Sequence, residues 1–571
     1  MKSGERLSSS YFTDNQSASM STPQNQPPPP LSQNFLDSAS HHDEENFEND
    51  FENDFEYQNT ETLNKIPFIL WVIGIGFIVA CLMFGNGNSI SQIFVAIAAI
   101  FCLTLSYRHP RQALWVFLIY TPFAGTVAYW IGNDHPIFHL AKDGLYFPAL
   151  IAIIQTARQQ RLPLIIPKSL KIPLLSLFGI ALLTFVYVNG GQQLSSNPDG
   201  QPLLIGIFGL KVLMGYIPLI LCAYVLIRNR EELHFLTRLQ VVLAIICCVL
   251  GVIQYWLVVT GKCPDNTGLP DHLLLRANLQ RKCLVGGALG YYPANNFIRL
   301  PGTFVAPWHW AWFLISSSFF CFATAFSDPK LYWRTAGWLS LSLVVLNSIL
   351  CGQRTALLAV PIIFVVLVIA TSHIPQLKRL VIILLGIVLF MGGTHLLFPS
   401  IISQRLESLV SRWNASPPAE FVTEQAEWTV RKHQGVLGNG LGRATNSARA
   451  LGDTKLVETY YPKLLYEIGP LGVIAFFAVV TTLTFQGFRA YHQVQDPSLR
   501  GYGVVFWVFV FLISYNSYWY PLDTDPVAVY YWFFAGVLLK LPHLEREEIK
   551  TLAESENMDE QKPELSSSQG N

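Results

Sequence analysis

The sequence predicts an all-α polytopic membrane protein with about 12 to 14 transmembrane helices and two long external segments. Three observations carry this reading. Of the 571 residues, 51% are hydrophobic and only 13% charged, about half the charged share of an ordinary soluble domain. About fourteen runs of roughly 20 apolar residues are each long enough to cross a hydrocarbon core of ~30 Å as a helix. Lys and Arg, finally, crowd alternate short loops, as expected when cytoplasmic loops retain positive charge during insertion. The formal net charge is zero, so the total names no partner, and nucleic acid is not expected among them.

Residues 1–64 are polar and contain a proline run (Pro27 to Pro30) and an imperfect acidic repeat, "ENFENDFENDFEY". Such composition buries too little apolar surface to fold alone, so a disordered acidic cytoplasmic tail is expected, with docking of its phenylalanines to a partner as the alternative. No cleavable signal peptide is visible before the first run. The membrane domain covers 65–541. Its apolar runs lie near 66–84, 89–106, 113–132, 144–157, 172–189, 204–227, 236–260, 307–326, 335–351, 355–372, 380–398, 464–486, 502–520 and 527–541. Residues 542–571 are expected as a second disordered cytoplasmic tail.

Orientation follows from the loops. Arg108 and Arg111 follow the second run, Arg158, Arg161, Lys168 and Lys171 the fourth, and Arg228 and Arg230 the sixth. Lys330 and Arg334 follow the eighth, Lys378 and Arg379 the tenth, Arg489 and Arg500 the twelfth. The intervening loops "GNGNS", "NGGQQLSSNPDGQP" and "PLDTDP" carry almost none. Both termini are therefore expected in the cytoplasm of a multi-pass protein of a bacterial plasma membrane. Residues 261–306 and 399–463 then lie outside.

Seven of the nine cysteines lie in or at the ends of apolar runs, where Cys behaves as a small hydrophobe. Cys263 and Cys283 share the first external segment, where oxidation is permitted, so a structural disulfide is expected between them. In the second segment, Ile401, Ile402, Leu406, Leu409, Val410 and Trp413 recur at helical spacing among charges, and Trp428 and Val430 continue an apolar side. Amphipathic helices lying along the outer interface, interrupted at Pro417 and Pro418, are expected there.

The stretch "RKHQGVLGNGLGRATN" brings Gly438, Gly440 and Gly442 into a spacing that suggests a nucleotide loop. No strand precedes it as a dinucleotide fingerprint requires, and its predicted location is external, where ATP and NAD are scarce. The glycines are therefore read as a sharp turn, either a bland exit from a helix or a backbone contact to phosphate.

Charge inside spans is costly, so Lys211 in the sixth run is informative. It is read as the only buried cation, and no span offers a membrane-embedded Asp or Glu with a partner, which argues against an ion-coupled transporter. Cations gather instead in the external segments and at one span end: Arg276, Arg281, Lys282, Arg299, Arg354, Arg405, Arg412, Arg431, Lys432 and Arg443. They snorkel or pair with Glu407, Glu420, Glu424 and Glu427, or they bind phosphate, which guanidinium forks suit.

Three segments, in order, resemble the O-antigen ligase and polymerase superfamily of integral membrane glycosyltransferases. "RLPGTFVAPWHWAWFL" (299–314) is similar to its Arg-x-x-Gly-Thr-Phe segment, and "GQRTALLAV" (352–360) to its Ser-Arg-Gly-x-x-Leu segment. "HQGVLGNGLG" followed by "LLYEIGPLGVIAFF" resembles its Gly-x-Gly turn and its Leu-x-Glu-x-Gly-x-x-Gly helix start. The resemblance covers about 299–487. It departs at the His-Asn pair of the ligases, whose register here falls on Glu458 and Thr459 ahead of Glu467. Ligase-type transfer to a lipid A core becomes doubtful, while polymerisation stays open. His433 precedes the glycine turn and does not replace the family histidine.

The resemblance implies transfer of glycan from a polyprenyl-diphosphate donor to a glycan or lipid-glycan acceptor, without metal or other cofactor, beside cell-envelope polysaccharide export machinery. No His, Cys, Asp and Glu cluster has metal-ligand spacing either. Arg354, with Arg299, Arg405, Arg431, Lys211 or Arg443, is expected to hold the diphosphate. Glu458 is expected as general base, or in an ion pair with Lys455 or Lys463. Tyr460 and Tyr461 are read as sugar-stacking groups or as interfacial belt residues. Two other classes remain: a transporter of anions or lipid-linked oligosaccharide, and a scaffold acting through the acidic tail.

Overall fold

A computed structural model describes residues 89–132, 136–159, 167–371 and 417–567, with isolated positions between 407 and 414. The expected N-terminal tail, the apolar runs 66–84 and 380–398, and Arg405 and Arg412 lie outside the described residues.

The described residues are mostly helical, with almost no strand. The longer helices are α1 (Ser89–Arg108), α2 (Pro110–Tyr120), α3 (Pro136–Gln159), α4 (Lys168–Leu183), α5 (Pro202–Met214), α6 (Leu219–Leu226) and α7 (Arg230–Val259). After a small hairpin of β1 (Gly290–Tyr292) and β2 (Phe297–Arg299) come α8 (Pro307–Ser327), α9 (Leu331–Leu350) and α10 (Arg354–Thr371). The chain resumes with α11 (Pro418–Lys432), α12 (Tyr460–Gln493), α13 (Pro497–Tyr515) and α14 (Val527–Ser567). Among the described residues, 7 helices are long and apolar enough to cross a membrane, or 8 if α5 and α6, bent by 44°, form one broken span. The other described apolar runs are helical too, in α1, α2, α3 and α9.

Two helices form the centre of the bundle. In α8 and α14, 89% of the spanning window is buried, against 22% in the span that begins with α4 and 33% in α10. Large aromatics fill this centre: Phe320 stacks on Phe534 with centroids 4.1 Å apart, and Trp310 stacks on Phe313. The outer helices turn Ile172, Leu175, Ile362 and Ile369 outward, each more than half exposed. Apolar exposure on helices of this length marks a lipid-facing surface.

Two expectations change here. α14 begins at Val527 and continues through Ser567, so most of the tail expected to be disordered extends the last helix. Its sequence after residue 541 is rich in Glu, Lys and Arg, good helix formers, and His543 contacts Glu547 one turn on. Lys211 also has a partner: Asp143 of α3, at the edge of the fourth apolar run, accepts its ammonium at 2.5 Å. Nor is it the only buried cation, since the Lys463 side chain is 3% exposed. Tertiary packing of α3 against the α5–α6 break makes the Asp143–Lys211 pair, which no sequence spacing announces.

Cys263 and Cys283 are disulfide-bonded, with Cα atoms 5.5 Å apart. Of the other described cysteines, all but Cys102 are buried.

Candidate functional site

A cavity of about 960 Å³ opens where α8, α10 and α11 begin and where α13 gives way to α14. Arg299, Arg354 and Glu458 all line it, together with Glu407 and several aromatic rings. Each of the three is delivered by a separate piece of backbone.

Arg299 ends β2, opposite Gly290 in the hairpin. The following residues are pinned from two sides. Gln254, buried in α7, donates to the carbonyls of Cys283 and Val285 at 2.8 and 2.7 Å, and its oxygen accepts the Gly302 amide at 3.0 Å. One span residue thereby ties the disulfide loop to the Arg-x-x-Gly-Thr-Phe segment. Thr303 donates to the Pro122 carbonyl at 2.6 Å and its own carbonyl accepts the Thr126 amide.

Arg354 is brought beside this segment by the turn before α10. The Leu300 amide donates to the Cys351 carbonyl at 3.0 Å. Gly352 then crosses Ile298 with φ +70°, and a β-carbon there would lie 1.8 Å from the Ile298 carbonyl oxygen. Only glycine permits both the left-handed backbone and the approach.

Glu458 is set by pairing with the loop after α13. Thr459 and Tyr518 form an antiparallel bridge, the Tyr460 amide donates to Ser517, and the Trp519 amide donates to the Glu458 carbonyl at 3.1 Å. From the other side Gln425 of α11 accepts the Glu458 amide. The Glu458 carboxylate itself has no ion-pair partner among the described residues. Both lysines considered as its competitors are engaged elsewhere: Lys455 with Asp453 at 2.6 Å and Lys463 with Asp523 at 2.7 Å. The latter is a buried ion pair that clamps α12 to the loop before α14. Burial raises the Asp523 carboxyl from 3.8 to about 6, with the Lys463 ammonium pulling against it.

Helix ends strengthen the positive field. Trp308, Arg354 and Pro418 lie in the first turns of α8, α10 and α11, and all line the cavity. Each helix N-terminus presents unsatisfied amides and about half a positive charge. Three such ends and two guanidinium groups thus share the cavity with two carboxylates, Glu407 and Glu458.

The other expected phosphate ligands lie apart from this cavity. Arg431 is on the surface, 3.6 Å from Glu427. Arg443 is buried among the Gln192 side chain and the carbonyls of Asp199 and Asp453. Lys211 belongs to the Asp143 pair. Tyr460 and Tyr461 are packing residues rather than exposed platforms: Tyr460 is buried against Phe476, and the Tyr461 hydroxyl donates to Ser514.

The glycine turn is likewise architectural. Gly438, Gly440 and Gly442 have φ of +73°, +108° and +80°. Their neighbours' amides are spent within the chain, Asn439 on Tyr466, Gly440 on the Glu467 carbonyl and Leu441 on the Asn189 side chain. Buried Glu467 accepts the Ala444 amide at 2.7 Å and the Thr445 hydroxyl at 3.0 Å, which assigns the motif glutamate to holding the turn. A β-carbon on Gly438 would meet the amide nitrogen of Gly469 at 2.6 Å, where α12 breaks.

Sequence reasoning missed Gln254, a lone amide in an apolar run, and the loop aromatics Tyr518, Trp519 and Tyr520 that line the cavity. The signal for Gln254 was its polarity inside a span. The aromatics sat at the end of the run 502–520, indistinguishable from belt residues. No group of His, Cys, Asp and Glu among the described residues is arranged to hold a metal ion. Compared with protein-family models and with curated proteins, the chain matches none.

Proposed function

We propose that this protein is a membrane glycosyltransferase that transfers or polymerises polyprenyl-diphosphate-linked oligosaccharide, in the manner of the O-antigen ligase and polymerase superfamily it resembles. The observation that carries this reading is the meeting of Arg299, Arg354 and Glu458 in one cavity. The charge bias of the short loops assigns that end of the bundle to the non-cytoplasmic side.

The chemistry needs little else. An acceptor hydroxyl oxygen attacks the anomeric carbon of the donor while its proton passes to Glu458. The bond from that carbon to the diphosphate oxygen breaks, and the charge collecting on the leaving phosphate is stabilised by Arg299, Arg354 and the helix ends. Binding both substrates in one cavity supplies orientation. With Glu458 where the ligases have histidine, polymerisation is favoured over transfer to a lipid A core. The test supplies purified protein with a polyprenyl-diphosphate oligosaccharide and looks for released lipid diphosphate and lengthened glycan. Neither product from folded protein would sink the reading.

A second reading, transport of an anion or lipid-linked oligosaccharide, gains one observation. Asp143 and Lys211 pair beside the 44° break between α5 and α6, and broken helices with buried charge are common at carrier sites. Proteoliposomes that move the same lipid without altering its glycan would favour it.

A further inference from the structure

Leu284, Asn296 and Trp519 are the non-glycine residues, among those described, whose φ lies in the left-handed region, at +55°, +49° and +56°. Two of them, Asn296 and Trp519, line the cavity. Asn tolerates the left-handed region, but a bulky side chain there costs about 1 to 3 kcal/mol. Trp519 has φ +56° in a loop where glycine would relax the backbone. The loop thus holds a large ring at a strained position, and its amide is bonded to the carbonyl of Glu458 at 3.1 Å. The Tyr518 ring lies 4.8 Å from the Trp519 ring, tilted by 33°, and Phe421 of α11 meets Tyr518 edge-on. Phe421, Tyr518 and Trp519 all line the cavity, whose cationic residues are Arg299 and Arg354, with Asn295, Asn296, Gln353 and Glu407 also on its lining.

We propose that Trp519 is the platform on which a sugar ring of the acceptor glycan stacks, fixed beside Glu458 by the backbone bond between them. The proposal rests on the glycosyl-transfer reading of the cavity. Indole faces pair with the C–H faces of pyranoses while carboxamides and a carboxylate take the hydroxyls, a division of labour that a hydrocarbon tail would not need. The aromatic side then selects glycan, and the arginines select diphosphate.

Binding separates the two. Calorimetry on the purified full-length chain would titrate a panel of short free oligosaccharides of hexoses and N-acetylhexosamines, and separately inorganic pyrophosphate. Trp519→Gly keeps the left-handed backbone without strain and deletes the ring. It is expected to weaken oligosaccharide binding about tenfold and to leave pyrophosphate binding unchanged. Trp519→Phe, which keeps a ring, is expected to recover most of the affinity. Oligosaccharide binding that is absent from the wild type, or equally tight in Trp519→Gly, overturns the proposal. Ring-dependent sugar binding in a protein that transfers no glycan upholds it and removes the enzymatic reading alone.

Discussion

Gly352 lies against Ile298 so closely that a β-carbon would come within 1.8 Å of the Ile298 carbonyl oxygen. This contact sets how near the segment carrying Arg299 comes to the helix that Arg354 begins. Gly352→Ala is expected to force the two apart and to strain a backbone at φ +70°, lowering stability by about 1 to 3 kcal/mol. Thermal unfolding in detergent would measure it. An unchanged melting temperature would mean that the approach is not tight.

Removing a guanidinium from the cavity should weaken the transition state more than the fold. Arg354→Ala is expected to lower glycan transfer by about a hundredfold or more. Arg354→Lys should recover only part, because an ammonium keeps the charge without the bidentate fork. Arg431→Ala, on the surface and away from the cavity, should transfer normally. Equal losses in the Arg354 and Arg431 variants would contradict the assignment.

Glu458→Gln keeps the shape of the side chain and its backbone pairing but cannot accept a proton. Glycan extension should stop while the amount of folded protein stays the same. Full activity in this variant removes Glu458 from the mechanism and turns attention to Glu407, the other carboxylate on the cavity lining.

The Asp523 carboxyl is raised from 3.8 to about 6 by burial. A raised folded-state value means that the native state holds the proton more tightly than the unfolded chain. The contribution is complete below about pH 4 and lost as pH rises through about 6. Asp523→Asn has no such proton. The difference in melting temperature between variant and wild type should therefore move in the variant's favour from about pH 4 to about pH 7. A gap independent of pH would show that Asp523 ionises as it does in the unfolded chain.

The disulfide joins residues separated by 20 in sequence. Closing such a loop is worth about 3 kcal/mol in the chain-entropy account. Because Gln254 ties this loop to the segment after Arg299, the Cys263→Ser, Cys283→Ser double variant should lose both stability and transfer. Loss of stability with full transfer would uncouple the loop from the cavity.

The sequence by itself determined the helical class, the apolar runs that became α4, α7, α8, α10, α12, α13 and α14, and the Cys263–Cys283 pairing. Hydrophobic length and the chemistry of a shared loop are local properties, written along the chain. Arg299 and Arg354 could be singled out as cations of an external segment and of a span end, and Glu458 by the register of the motif that the chain resembles. What separated them from Arg431, Arg443 and Lys211 was not local. Arg443 is held by the Gln192 side chain, Lys211 by Asp143 and Lys463 by Asp523. Which charges meet in one cavity and which pair elsewhere depends on segments far apart in sequence, and only packed helices bring such segments within a few ångströms. Tertiary structure alone decided, for the same reason, that the glycine turn closes on Glu467 and that Trp519 stands beside Glu458.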